Sequence, residues 1–150
     1  MEEKIKKIIR KVLNEIDYSN INEVIKLSDF LTCFKKSDLK KVNELLTKIR
    51  SLGVVNMFGA GEFLMMTKQY FLDYMRLKSY ERDFDEDEIE EISDLIEDVR
   101  NIMIAGAIRM IERDNREVSV RSVTSAVRLL AQNTIKYYMT GVLNDRQWSK

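Results

Sequence analysis

With 150 residues, 45% of them apolar and 33% charged, the chain has the size of one domain or of two intimately packed small ones, and its composition excludes the disordered class. A lone cysteine excludes an internal disulfide, no apolar run approaches the ~20 residues that span a bilayer, and MEEKIKKIIRKV lacks the apolar stretch of a signal peptide, so a cytoplasmic protein is expected. Formal net charge is zero, yet residues 79–98 hold eleven acids and one arginine between two basic blocks, so the poles matter more than the sum.

Proline is absent and glycine occurs five times, which favours helices throughout. The stripe Ile5, Ile8, Ile9, Val12, Leu13 and Ile16 predicts a first helix ending near Asp17, with lysines and Arg10 on its outer face. Ser19 or Asn20 can cap a second, carried by Ile21, Val24, Ile25, Leu27, Phe30, Leu31 and Phe34. At Lys35, Lys36 and Ser37 the chain either turns a solvated face of the same helix or opens a new one. One long, bent helix is the preferred reading, continued by Leu39, Val42, Leu45, Leu46 and Ile49 and stopped by Gly53.

Val54 and Val55 then make a link too short for an independent strand. Asn56 caps a helix bearing Phe63, Met66, Tyr70, Phe71, Tyr74 and Leu77, weakened at its start by Gly59 and Gly61 and read as continuous from about Met57 to Lys78. From residue 87 to about 114, Ile89, Ile92, Ile96, Val99, Met103, Gly106 and Met110 recur three and four apart, the clearest helix in the chain. Ala105, Gly106 and Ala107 put its smallest side chains where another helix can cross closely; the alternative is a glycine merely tolerated. A link at 115–118 follows, then a helix capped by Ser119 with Val123, Ala126, Val127 and Leu130 inward. A last stretch from Asn133 to Trp148 packs Ile135, Tyr138, Met139, Val142 and Leu143.

Two segments repeat 65 residues apart, LSDFL at 27–31 and ISDLI at 92–96, and Tyr-Met pairs recur at 74–75 and 138–139. The predicted order of short helix, long helix, valine-bearing link and shorter helix also occurs twice. That order resembles the histone fold, most closely over residues 81–132, where Arg116-Glu117-Val118 looks like the link, Ser119 like the cap and Ala126-Val127-Arg128 like the core of the last helix. Glu117 stands where threonine is usual and Ser122 where an acidic capping residue is common. The whole chain resembles the bacterial proteins in which two histone folds are joined as a pseudodimer. The resemblance implies an all-α fold of two helix-long helix-helix units, residues 1–66 and 67–150, clasping because neither covers its own apolar face. It also implies that Arg116 and Arg121 lie near Ser19 and Asn20, with the acidic loop at 83–87 beside Gly53.

Candidate sites are few. Gly59-Ala60-Gly61 lacks the strand and spacing of a nucleotide fingerprint. The acidic run at 83–88 lacks the alternation and central glycine of a calcium loop, and carboxylates in a first helical turn suit the helix dipole without metal. Nothing pairs a nucleophile with a base, so neither catalysis, a cofactor nor a small-molecule substrate is expected. Arg109, Arg113 and Arg116 share one helix face, with Arg121 just beyond, and guanidiniums hold phosphate bidentately; the competing reading is a solvated face with Arg113 paired to Asp114 or Glu117. Lys4, Lys6, Lys7, Arg10 and Lys11 form a second basic patch, or the ordinary outer face of an amphipathic helix. Aromatic residues such as Tyr70, Phe71, Tyr74, Tyr137 and Tyr138, together with Cys33 and the methionines, read as packing groups.

Two function classes remain open. One is a histone-like protein binding duplex DNA phosphates without sequence reading through Arg109, Arg113, Arg116, Arg121 and Lys4, Lys7 and Lys11. The other is a helical protein-interaction module or small subunit of a larger complex, its acidic pole meeting a basic partner.

Overall fold

A computed structural model describes residues 24–54 and 59–140. It shows α1 (Leu27–Thr32), α2 (Lys36–Leu52), a 3-10 helix (Ala60–Leu64), α3 (Lys68–Lys78), α4 (Glu86–Arg113) and α5 (Val120–Met139), with no strand among these residues. The fold is all-α as expected, and none of the described helices is long and apolar enough to cross a membrane. The first predicted helix, the caps at Ser19, Asn20 and Asn56, and Val142, Leu143 and Trp148 lie outside the described residues.

The spine is α4, 28 residues long and so about 42 Å at the standard rise. Asp85 caps it by accepting from Asp87 N at 2.9 Å, and Glu86, Asp87 and Glu88 occupy its first turn, where the helix dipole favours negative charge. Its inward face is the predicted one: Ile92, Ile96, Val99, Met103, Gly106 and Met110 are all buried.

Along this spine α1 and α2 run antiparallel. Arg113 reaches Asp29 and Thr32, Arg109 reaches Cys33, Lys41 meets Asp98, Lys48 meets Glu91 and Arg82 meets Leu52. One set of numbers rises as the other falls, over the full length of α4. The lysine pairs are exposed and each contributes roughly 0 to 1 kcal/mol; the apolar seam of Leu39, Val42, Leu45, Leu46 and Ile49 beneath them is buried and does the holding. On the N-terminal half of α4 sits α3, tied by Lys68 to Asp94 at 2.7 Å. The last helix, α5, turns back along α4 and packs on the 3-10 helix, whose Phe63 and Leu64 are fully buried. Buried residues from both sides of the 66/67 boundary belong to one core.

The single bent helix expected from Ile21 to Leu52 is two helices. Residues 33–35 form a turn, with Lys35 extended at φ −83° and ψ 156° and Asp38 Oδ2 accepting from Lys35 N at 3.4 Å. The break buries Phe30, Cys33 and Phe34 together, Phe30 and Phe34 lying 5.1 Å apart between ring centroids. Nor is the helix expected from Met57 to Lys78 continuous: it stops at Leu64 and restarts after Thr67, whose side chain accepts from Tyr70 N at 3.1 Å. Gly53 ends α2 in the left-handed region at φ 71°, as expected of a residue just past a helix. Close approach does occur at Gly106, but from the α1–α2 turn and not from a crossing long helix. A Cβ there would stand 2.8 Å from Phe34 Cε1 and 3.3 Å from Cys33 O.

The predicted division at Asn133 is absent, and α5 runs through it. Asn133 Nδ2 donates to Leu129 O at 2.9 Å, while its Oδ1 accepts from Ile25 N at 3.0 Å. Tyr137 Oη donates to Ile25 O, and its ring lies 5.0 Å from that of Phe30. Both backbone groups of Ile25 are thus held by side chains of α5.

Candidate nucleic-acid interface

The four predicted arginines do not act as one patch. Arg109 donates to Cys33 O at 2.7 Å, and Arg113 to Asp29 O at 3.1 Å and Thr32 Oγ1 at 3.0 Å. Asp29 O and Cys33 O belong to the C-terminal end of α1, where carbonyls lack intrahelical partners and the dipole is negative, so a guanidinium is the natural cap. Two residues expected to meet phosphate therefore hold a six-residue helix to the spine. Charge-assisted hydrogen bonds of this kind contribute about 1 to 2 kcal/mol each where half-exposed. Arg109→Gln and Arg113→Gln should each lower the unfolding free energy by about 1 kcal/mol in urea melts. Unchanged stability in both would mean that water caps α1 equally well.

Arg116 and Arg121 are exposed and flank the turn into α5. That turn is locally encoded. Asn115 adopts φ 56°, a region asparagine tolerates, and Arg116 N donates to Ile111 O at 3.0 Å and Asn115 N to Glu112 O at 3.0 Å, closing α4 in a Schellman motif. Ser119 then caps α5. Its Oγ accepts from Ser122 N at 3.1 Å, and Ser122 Oγ accepts from Ser119 N at 2.8 Å, a capping box with serine in the acidic place. The first turn of α5 carries no acidic residue. Arg121 puts a cation at a positive dipole end, which is unfavourable until an anion arrives.

A recess of about 550 Å³ opens here, lined by Arg116, Glu117, Ser119, Arg121, Ser122 and Ser125. The serines beyond Ser119 were missed as site residues, although the Ser-x-x-Ser spacing was visible. Arg116 also pairs loosely with Asp114 at 3.8 Å, and Arg113 Nε with the same carboxylate at 3.6 Å, so the competing reading of Arg113 is the one found. Lys4, Lys7 and Lys11, with Lys6 and Arg10, lie outside the described residues.

At the opposite end stands the acidic pole. Arg82 donates to Leu52 O and lies against Gly53 and over the Phe84 ring, its centroid 4.7 Å away. Arg82, which precedes the acidic loop at 83–87, is thus the residue set against Gly53. Between α3 and α4 runs a groove of about 680 Å³ with Leu72, Phe84 and Ile89 in its walls and Asp83, Glu86 and Glu90, with Lys68 and Arg76, around its rim. Hydrogen bonds to Asp94 and Glu91 raise the pKa of Lys68 and Lys48, so both stay charged at neutral pH. Burial, only partly offset by Arg113 and Arg109, raises the pKa of the Cys33 thiol and keeps it protonated. Among the described residues no group of three or more His, Cys, Asp or Glu could hold a metal ion. Tyr70 is half exposed, whereas Phe71 and Tyr74 are core and Tyr137 and Tyr138 are partly buried. Comparison of the chain with protein-family models, curated proteins and solved structures returns no match.

Proposed function

We propose that this chain is a non-catalytic, histone-like pseudodimer of the cytoplasm that holds duplex DNA phosphates, without reading sequence, at the end formed by residues 114–122. Support for the pseudodimer is the antiparallel run of α1 and α2 along the whole of α4, with Gly53 of the first unit's link beside Arg82 at the start of the second unit's loop. Support for phosphate is a single feature: two exposed guanidiniums beside a serine-lined recess, at a helix start without an acidic residue. Neutral net charge and the acidic pole confine binding to this end.

Two phosphate contacts predict an affinity that falls with salt at a logarithmic slope of about 2, from roughly 0.9 per contact. Arg116→Gln with Arg121→Gln should remove most of that slope and weaken binding uniformly across sequences, while thermal stability stays within about 1 kcal/mol. Arg109 and Arg113 should matter to folding instead. Titration of the purified protein into labelled duplex at low and moderate salt is the test, and absence of binding at low salt overturns the reading.

A second reading rests on the α3–α4 groove, whose apolar walls and three carboxylates, set against Arg76 and a Lys68 already paired to Asp94, suit a basic amphipathic segment of a protein partner. Reversing Asp83, Glu86 and Glu90 to lysine should abolish binding of such a helical peptide. Indifference to the reversal would remove the groove as the site.

A further inference from the structure

Two charged residues at the turn into α5 stand at unfavourable helix ends. Arg121 lies in the first turn of α5, whose start is positive, and Asp114 closes α4, whose end is negative. Arg121 suits an incoming anion. Asp114 opposes one, and its place is explained by what it pairs with: Arg113 Nε at 3.6 Å and Arg116 Nη2 at 3.8 Å. These two guanidiniums are not equally free. Arg113 is engaged at the end of α1 through Asp29 O and Thr32 Oγ1. The Arg116 side chain is 55% exposed and has Asp114 as its one partner among the described residues.

Arg116 also belongs to two recesses. One holds Ser119, Arg121 and Ser122, and the other, of about 560 Å³, holds Val24, Arg113 and Asp114. Asp114 borders only the second, and Arg121 and the serines only the first. The carboxylate therefore draws Arg116 toward the Val24 side, away from Arg121. Its hold is light, because the pair is long, at 3.8 Å, and both side chains are about half exposed. A phosphate offers Arg116 two short charge-assisted bonds in exchange, and its own charge repels the carboxylate it displaces.

We propose that Asp114 is a built-in competitor for the phosphate: it holds Arg116 in the unbound protein, and a duplex phosphate must take that guanidinium from it. The inference rests on the phosphate reading above and names what limits the affinity of that site. Arg121, paired with no carboxylate among the described residues, needs no such exchange. Asp114 thus acts through Arg116 alone.

Asp114→Asn removes the competitor and keeps the size of the side chain. The purified full-length variant should bind labelled duplex at low salt about five-fold more tightly than the parent, the upper worth of an exposed ion pair, and equally so across unrelated sequences. The gain must pass through Arg116. In an Arg116→Gln background Asp114→Asn should change affinity by less than about two-fold, whereas in an Arg121→Gln background the five-fold gain should persist. Glu112→Gln, the same change in net charge with no contact to Arg116, should stay within about two-fold of the parent. Unchanged or weaker binding by Asp114→Asn overturns the competition while leaving the phosphate reading intact, as does an equal gain from Glu112→Gln. A lowered urea midpoint without tighter binding overturns it too, by making Asp114 a structural partner of Arg113. Absence of duplex binding by both parent and Asp114→Asn overturns the phosphate reading and the competition with it.

Discussion

Produced separately, residues 1–66 and 67–150 will each fail to hold a cooperative helical fold, and mixing them will recover helix. The seam of α2 buries Leu39, Val42, Leu45, Leu46 and Ile49, and the 3-10 helix buries Phe63 and Leu64, largely against α4 and α5 of the other half. Seven such side chains at about 1.5 to 3 kcal/mol each amount to more than 10 kcal/mol, comparable with the whole stability of a domain, about 5 to 15 kcal/mol. Each half would leave an unpaired apolar strip along its principal helix and aggregate through it. Circular dichroism and size exclusion of the separate and mixed halves measure the effect. Two monomeric halves, each melting cooperatively by itself, would contradict the shared core.

The second large effect is expected at Gly106. Glycine within a helix costs about 1 kcal/mol relative to alanine, so an open position there would be stabilised by substitution. Here Phe34 Cε1 already stands 2.8 Å from where a Cβ would be, and the backbone oxygen Cys33 O is 3.3 Å away. Phe34 is buried between Phe30 and this surface, and Cys33 O is the acceptor of Arg109, so neither neighbour gives way freely. Gly106→Leu should destabilise by roughly 3 kcal/mol, the upper range of overpacking. Gly106→Ala should lose less, because its propensity gain of about 1 kcal/mol offsets part of the clash. Urea midpoints at unchanged slope report both. A leucine variant as stable as the parent would mean that the α1–α2 turn moves aside at no cost.

Where local signals were strong, the sequence was read correctly. The three-four recurrence of α4, the Ser119 cap and the Gly53 stop appear as expected, and Gly106 is closely approached, though by the α1–α2 turn in place of the expected crossing helix. The break after α1 had a signal that was passed over. From Phe34 the next buried apolar residue is Leu39, five positions on, which carries the stripe about 140° around a helix and off its face. Thr67 ahead of α3 was likewise an unused cap. The arginines are a different case. Their i, i+4, i+7 spacing puts them on a shared face, but what that face meets is a matter of tertiary contact: Cys33 lies 76 residues from Arg109, and Asp29 84 from Arg113. No local pattern distinguishes a guanidinium that caps a distant helix from one that waits for phosphate. Asn133 is a similar case: the sequence pattern makes it the start of a separate last stretch, whereas it lies inside α5 and holds Ile25.

The clamp on Ile25 also sets an order of events on the ribosome. Its two holders follow it by 108 and 112 residues, and Arg109 and Arg113, which cap α1, are nearly as late. At about 5 to 20 residues per second, the start of the chain waits on the order of ten seconds for the side chains that secure it. During that interval Phe30 and Phe34 have no finished surface to enter. Closure is therefore late: the residues around Ile25 are fastened only by the far end of α5, so that the appearance of α5, rather than the earlier appearance of α2, is the moment at which the described fold becomes secure.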